Sequence, residues 1–293
     1  ICHPHLVSFF IKYKEFLTIS SSKIIQSLTA GISQITTGFL GLNFTGLIIG
    51  RIIGLLSADL NYLKKFFGGF RFPELNKQKE KYLIVKNKKF IQFTSPGFFI
   101  GNSINLIILM LFANYYGNQF TGLTAAAIQY FGLVIMLFAS SFSQVYYNEI
   151  AEIIEPKKLL TSFTFWLKRL VILSIVGLIL LFITPSSIIT YILGEKWSEL
   201  LHIIKIISPW MGIMFVSSSL SYIYIRLGKQ KEILFFDILH LILIVLAFFS
   251  GDHVFNDKIS TLYVITGFQS GFYILSIILA YIFLIKNLKH KAV

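Results

Sequence analysis

Charge is scarce in this chain. Of its 293 residues only 13% are Asp, Glu, Lys or Arg, and the acids number 13; a soluble domain carries about a quarter charged residues. Soluble α/β enzymes and charged disordered chains are excluded on that ground. Cysteine is confined to Cys2, so no internal disulfide forms and a secreted disulfide scaffold is excluded as well. Also missing are a metal-ligand cluster, a nucleotide fingerprint and a nucleophile motif, so no metal, no cofactor and no enzyme activity are expected.

Apolar residues are in excess. Hydrophobic side chains make up 55% of the chain, with 30 Phe and a mean hydropathy of +0.75. A membrane span needs about 20 apolar residues in helical conformation. Eight such stretches stand out, at 19–40, 44–66, 90–114, 120–146, 161–184, 198–223, 231–250 and 259–285, so the expected fold is an all-α polytopic integral membrane protein of about eight transmembrane helices.

Basic residues outnumber acids by 26 to 13, for a formal charge of +13. In a soluble protein this excess would point to nucleic acid; between apolar spans it marks cytoplasmic connections, and no nucleic-acid partner is expected. The stretch 64–89 holds Lys64, Lys65, Arg71, Lys77, Lys79, Lys81, Lys86, Lys88 and Lys89, whereas the turns 41–45 and 115–120 hold no charge. Assigning connections alternately to two sides leaves only Lys196, Lys205 and Lys258 toward the outer side and Arg51 within a span. Both ends of the chain are then cytoplasmic and the number of spans is even. Gly117-Asn118, Gly194-Glu195, Leu227-Gly228 and Gly251-Asp252 supply turn chemistry between spans, and Tyr115, Tyr116, Tyr146, Tyr147 and Trp197 are expected as interfacial belt residues.

The longest connection divides the chain into residues 1–66, a basic linker at 67–89, and six spans in 90–293. Several local patterns then occur in a fixed order: Gly41-Leu-Asn-Phe-Thr-Gly-Leu-Ile-Ile-Gly50, Ser143-Gln-Val-Tyr-Tyr-Asn-Glu-Ile-Ala-Glu152, Leu193-Gly-Glu-Lys-Trp197 followed by Pro209-Trp210, and Leu227-Gly-Lys-Gln230. Together they resemble the polysaccharide flippases of the multidrug/oligosaccharidyl-lipid/polysaccharide exporter superfamily, over about residues 15–285.

The resemblance implies a two-lobed, twelve-helix exporter of which this chain carries the C-terminal two-thirds: the last two helices of the first lobe in 1–66 and the six-helix second lobe in 90–293. Ile1 in place of Met fits a sequence lacking its beginning. The implied activity is translocation of undecaprenyl-pyrophosphate-linked oligosaccharide across the bacterial cytoplasmic (inner) membrane for O-antigen or capsule biosynthesis, by alternating access. Implied partners are that lipid-linked substrate, membrane lipids and polysaccharide assembly proteins. A drug or other lipid-intermediate exporter of the superfamily is the nearest alternative, and a polytopic enzyme such as an O-antigen polymerase the next.

Such cargo calls for cations inside the spans. Arg51 lies five residues, about 8 Å, past Gly46, and either receives a phosphate or pairs locally. Lys205 follows His202 by three residues and either contacts cargo or lies on an interfacial amphipathic segment, 197–208. For ion coupling the candidates are Asp59, about 80° around the helix from Arg51, and the pair Asp237 and His240, three apart on one face; the alternative for Asp237 is an ion pair with Arg226 or Lys231. Pro96-Gly97 and Pro209 are expected to bend or break their helices, and Ser217–Ser219 to allow close packing.

Overall fold

The computed structural model describes residues 15–69, 85, 88 and 90–290. Cys2, Lys12, Lys14, most of the 67–89 linker with its cations from Arg71 to Lys86 and Lys89, and Lys291 lie outside the described residues. Backbone contacts divide the chain into two compact units, residues 1–82 and 83–293.

In the first unit α1 (Phe16–Phe39) and α2 (Asn43–Gly69) form an antiparallel hairpin. Its turn uses Gly41, whose φ of +73° suits glycine. Gly46, Gly50 and Gly54 recur every four residues and so form one stripe of α2. A Cβ on them would lie 2.8 Å from Thr37, 2.5 Å from Gln34 and 2.6 Å from Ala30. Fully buried Ala58 continues the stripe. This is the small-residue packing that lets two helices approach in a bilayer, where apolar burial alone does not drive association. Polar contacts run along the seam: Thr29 Oγ1 and Ser57 Oγ are 2.6 Å apart, and Asn61 Nδ2 donates to Ser22 Oγ at 2.8 Å.

The second unit opens with a π-helical turn, Phe90–Thr94. It continues through α3 (Ser95–Tyr116), α4 (Asn118–Glu152), α5 (Pro156–Ile183), α6 (Ser187–Leu193), a 3₁₀ turn at Glu195–Trp197, α7 (Leu200–Leu220), α8 (Tyr222–Arg226), α9 (Gln230–Phe255) and α10 (Lys258–His290). Among the described residues seven helices are long and apolar enough to cross a membrane. The eighth long helix, α1, falls short in hydropathy because Ser, Thr and Gln interrupt its apolar residues. The protein is therefore an all-helical, multi-pass membrane protein of about eight spans.

At the centre of the second unit is α7, packed on α4, α5 and α10. Of its apolar stretch 67% is buried, against 6% for α5. That overturns the reading of 197–208 as an interfacial segment: Leu200, Leu201, Ile203, Ile204, Ile206 and Ile207 are buried. Pro209 sits within α7 without ending it. Proline cannot donate to the carbonyl of Lys205, and Ser208 Oγ donates to that oxygen instead, at 2.9 Å. Pro96, in the first turn of α3, follows closely on the π-helical turn Phe90–Thr94, so the helix runs on through it with an irregular register.

Gly251 does not stop a helix as its dipeptide suggested. It is a packing position, since a Cβ there would lie 3.1 Å from the Thr261 backbone, and α9 runs on to Asn256, which takes the left-handed conformation. Asp257 then caps α10, its Oδ2 accepting the Ser260 amide at 2.8 Å and the Ser260 hydroxyl at 2.9 Å. These bonds hold the Asp257 carboxyl below its ordinary range.

One expected belt residue is internal and a second is engaged by its neighbours. Tyr146 is fully buried, and Tyr116 donates to Asp252 Oδ1 at 2.6 Å while contacting Thr261 Oγ1 at 2.8 Å, tying α3 to the ends of α9 and α10. Tyr115 and Tyr147 are about half exposed, as a belt requires, whereas Trp197 packs against the core.

Candidate functional site

A cavity of about 390 Å³, largely apolar but carrying several polar side chains, opens among the helices. Thr94 and Gly97 approach it from the start of α3, Ser217 and Ser218 from α7, Gln230 and Asp237 from α9, and Tyr273 and Ser276 from α10. Gly97 is needed for this approach: a Cβ there would lie 2.8 Å from Asp237 Oδ2. The preceding π-helical turn displaces the entry to α3 from a regular α register, a feature often found at functional sites.

Asp237 is partly buried, and no hydrogen bond or ion pair engages it among the described residues. Its expected basic partners are absent or used elsewhere. Arg226 donates to the carbonyls of Ile150 and Ile153, at 3.1 and 2.7 Å, closing the end of α4. Lys231 is exposed and makes no ion pair with Asp237 among the described residues; its neighbour Lys229 pairs with Glu232 at 2.7 Å. A carboxylate in a membrane-spanning helix is costly without compensation, so exchange of a proton or a cation is the chemistry open to it. Thr94 Oγ1 and Gln230 Oε1, both buried and unpartnered among the described residues, add oxygens to the same cavity.

His240 lies one turn further along α9, but it does not pair with Asp237. Its Nε2 is 2.7 Å from Gln269 Oε1, and its ring stacks on Phe272 with centroids 3.6 Å apart. The imidazole is 3% exposed, so helix packing and one amide absorb it. Phe272 lines the same cavity as Asp237, but no hydrogen bond joins the two residues of the expected pair.

Lys205 is engaged as well. Its Nζ donates to the carbonyls of Phe182 and Thr184, at 3.2 and 3.0 Å, which are among the last acceptors of α5 left without amide donors. In the first unit Arg51, the residue after Gly50, is exposed on α2, and Asp59 is partly buried on the same helix. A distance of eight residues, about 12 Å of helix, separates them.

Sequence reasoning passed over Gly97 and Gln269. A fully buried Gln in an apolar span was a readable signal, because such a group must find a partner. Gly97 was readable only as part of a Pro-Gly kink. Comparison with protein-family models, with curated proteins and with solved structures finds no match for this chain.

Proposed function

We propose that the protein is a membrane translocator whose second unit couples transport to a proton or cation at Asp237. The observation that carries this is a carboxylate with no partner among the described residues, lining a cavity between spanning helices beside Thr94, Gln230 and Ser276, a combination used for ion and substrate pathways. Nothing in the proposal requires a covalent step: the cavity supplies oxygens and the helices supply movement.

The cargo, on this reading, is an undecaprenyl-pyrophosphate-linked oligosaccharide destined for a surface polysaccharide such as O-antigen or capsule. What supports it is the order of the four sequence patterns named above. The membrane would be the bacterial cytoplasmic one, with both ends of the chain on the basic, cytoplasmic side. Arg51, exposed on α2, is the candidate contact for the diphosphate, which guanidinium recognises well. Lys205 takes no part, since its ammonium already serves two carbonyls. Polysaccharide assembly proteins would receive the product.

Deleting the gene in its host should abolish the surface glycan and leave drug sensitivity unchanged. Restoring it with Asp237→Asn should give normal protein abundance but no glycan, while Asp237→Glu should retain part of the activity. Full glycan display from Asp237→Asn would remove the coupling site, and altered drug sensitivity with intact glycan would remove the cargo.

A further inference from the structure

On the side of the second unit away from Asp237's helix, α4 and α5 share few backbone contacts, and a groove of about 370 Å³ lies between them with α7 as its floor. Val134 and Phe138 of α4 face Leu173, Val176 and Leu180 of α5 across it, above Phe215. The apolar stretch of α5 is almost wholly exposed, so in a bilayer this groove meets hydrocarbon.

One end of the groove carries charge. Arg169, Leu173, Val176 and Leu180 follow at intervals of four, three and four residues, which places them along one side of α5. Arg169 is exposed, its guanidinium resting 3.8 Å from the centroid of Phe165, and Lys168 beside it is exposed too. Among the described residues no carboxylate pairs with either. The acid that faces this part of α5, Glu149, is occupied by Ser162 Oγ at 2.6 Å and Trp166 Nε1 at 2.7 Å.

We propose that this groove binds an anionic phospholipid of the surrounding bilayer, with its phosphate at Arg169 and Lys168 and one acyl chain between α4 and α5. Two uncompensated cations at the mouth of an apolar channel complement a phosphate joined to a hydrocarbon chain. From Arg169 to Leu180 is about 16 Å of helix, close to half of a hydrocarbon core about 30 Å thick. That length suits an acyl chain of one leaflet and is too short for a polyprenyl chain. The proposal needs only that these helices span a bilayer and does not rest on the translocator reading.

The test is native mass spectrometry of the full chain, taken from bilayers of phosphatidylcholine and phosphatidylglycerol in equal parts with a trace of polyprenyl phosphate. The wild type should retain phosphatidylglycerol in preference. Lys168→Gln with Arg169→Gln should reduce that retention by about fivefold for each charge removed, with phosphatidylcholine unaffected, and Lys286→Gln with Lys289→Gln should not. Gly177→Phe provides an arm independent of charge. A Cβ at Gly177 meets nothing within 4 Å and Gly177 lines the groove, so a bulky side chain introduced there should compete with the same lipid. Undiminished phosphatidylglycerol in either the charge variant or Gly177→Phe overturns the site, and preferential retention of polyprenyl phosphate overturns the choice of lipid.

Discussion

Lys205 and Asp237 are both charges set in apolar helices, and their surroundings give them different roles. The ammonium of Lys205 meets two carbonyls at the end of α5, whereas among the described residues no partner meets the carboxylate of Asp237. Removing the lysine therefore exposes a structural debt. Lys205→Ala should lower stability by about 1–2 kcal/mol, the cost of leaving such acceptors unpaired, while glycan display per folded molecule stays unchanged; Lys205→Arg should recover most of the loss. Thermal unfolding in detergent reads the first quantity and surface glycan per unit of protein the second. Lost display with unchanged stability would instead return Lys205 to the cargo path. That a cation lay inside this span was legible from the sequence. Its acceptors were not, because they lie more than 20 residues earlier and meet it only when α5 and α7 pack.

Helices, in turn, depend on small residues whose spacing is visible and whose partners are not. Gly46, Gly50 and Gly54 form a regular four-residue series in the sequence, but only the fold shows that α1 lies against it. Gly54→Leu would drive a side chain into Ala30, from which a Cβ stands 2.6 Å, and into the Gln26 carbonyl at 2.8 Å. The expected cost is about 1–3 kcal/mol, typical of overpacking a close contact, with separation of α1 from α2 detectable by cysteine cross-linking between positions 29 and 57. Gly31→Leu is the matched control, since nothing lies within 4 Å of a Cβ there. An equal loss from both variants would show that leucine in a helix, rather than the close approach, is responsible. Gly251 carries the same lesson in reverse: its dipeptide reads as a turn, yet tight packing on Thr261 holds it inside α9.

For the whole molecule the decisive pattern is alternation. Successive spans put Asn118 and Glu195 at one set of helix ends and Ile154, 83% exposed, at the other. With Cys2 replaced by Ser, a membrane-impermeant maleimide applied to intact cells should label Asn118→Cys and Glu195→Cys but spare Ile154→Cys until the membrane is opened. The inverse pattern would reverse the proposed orientation, and labelling of all three would contradict the span count.

Sequence alone determined that this chain lives in a bilayer, roughly where its helices begin and end, and which connections carry the cations. Those properties are sums over neighbouring residues: hydropathy over about 20 positions, charge between them, glycine at a turn such as Gly117 or Gly228. Tertiary structure decided what the isolated polar groups do. It joined His240 to Gln269 rather than to Asp237, turned Arg226 toward the end of α4, buried Tyr146 and made α7 the centre of its unit. Each of those outcomes depends on which side chain a distant helix presents within hydrogen-bond reach, and no local pattern in the sequence encodes that distance.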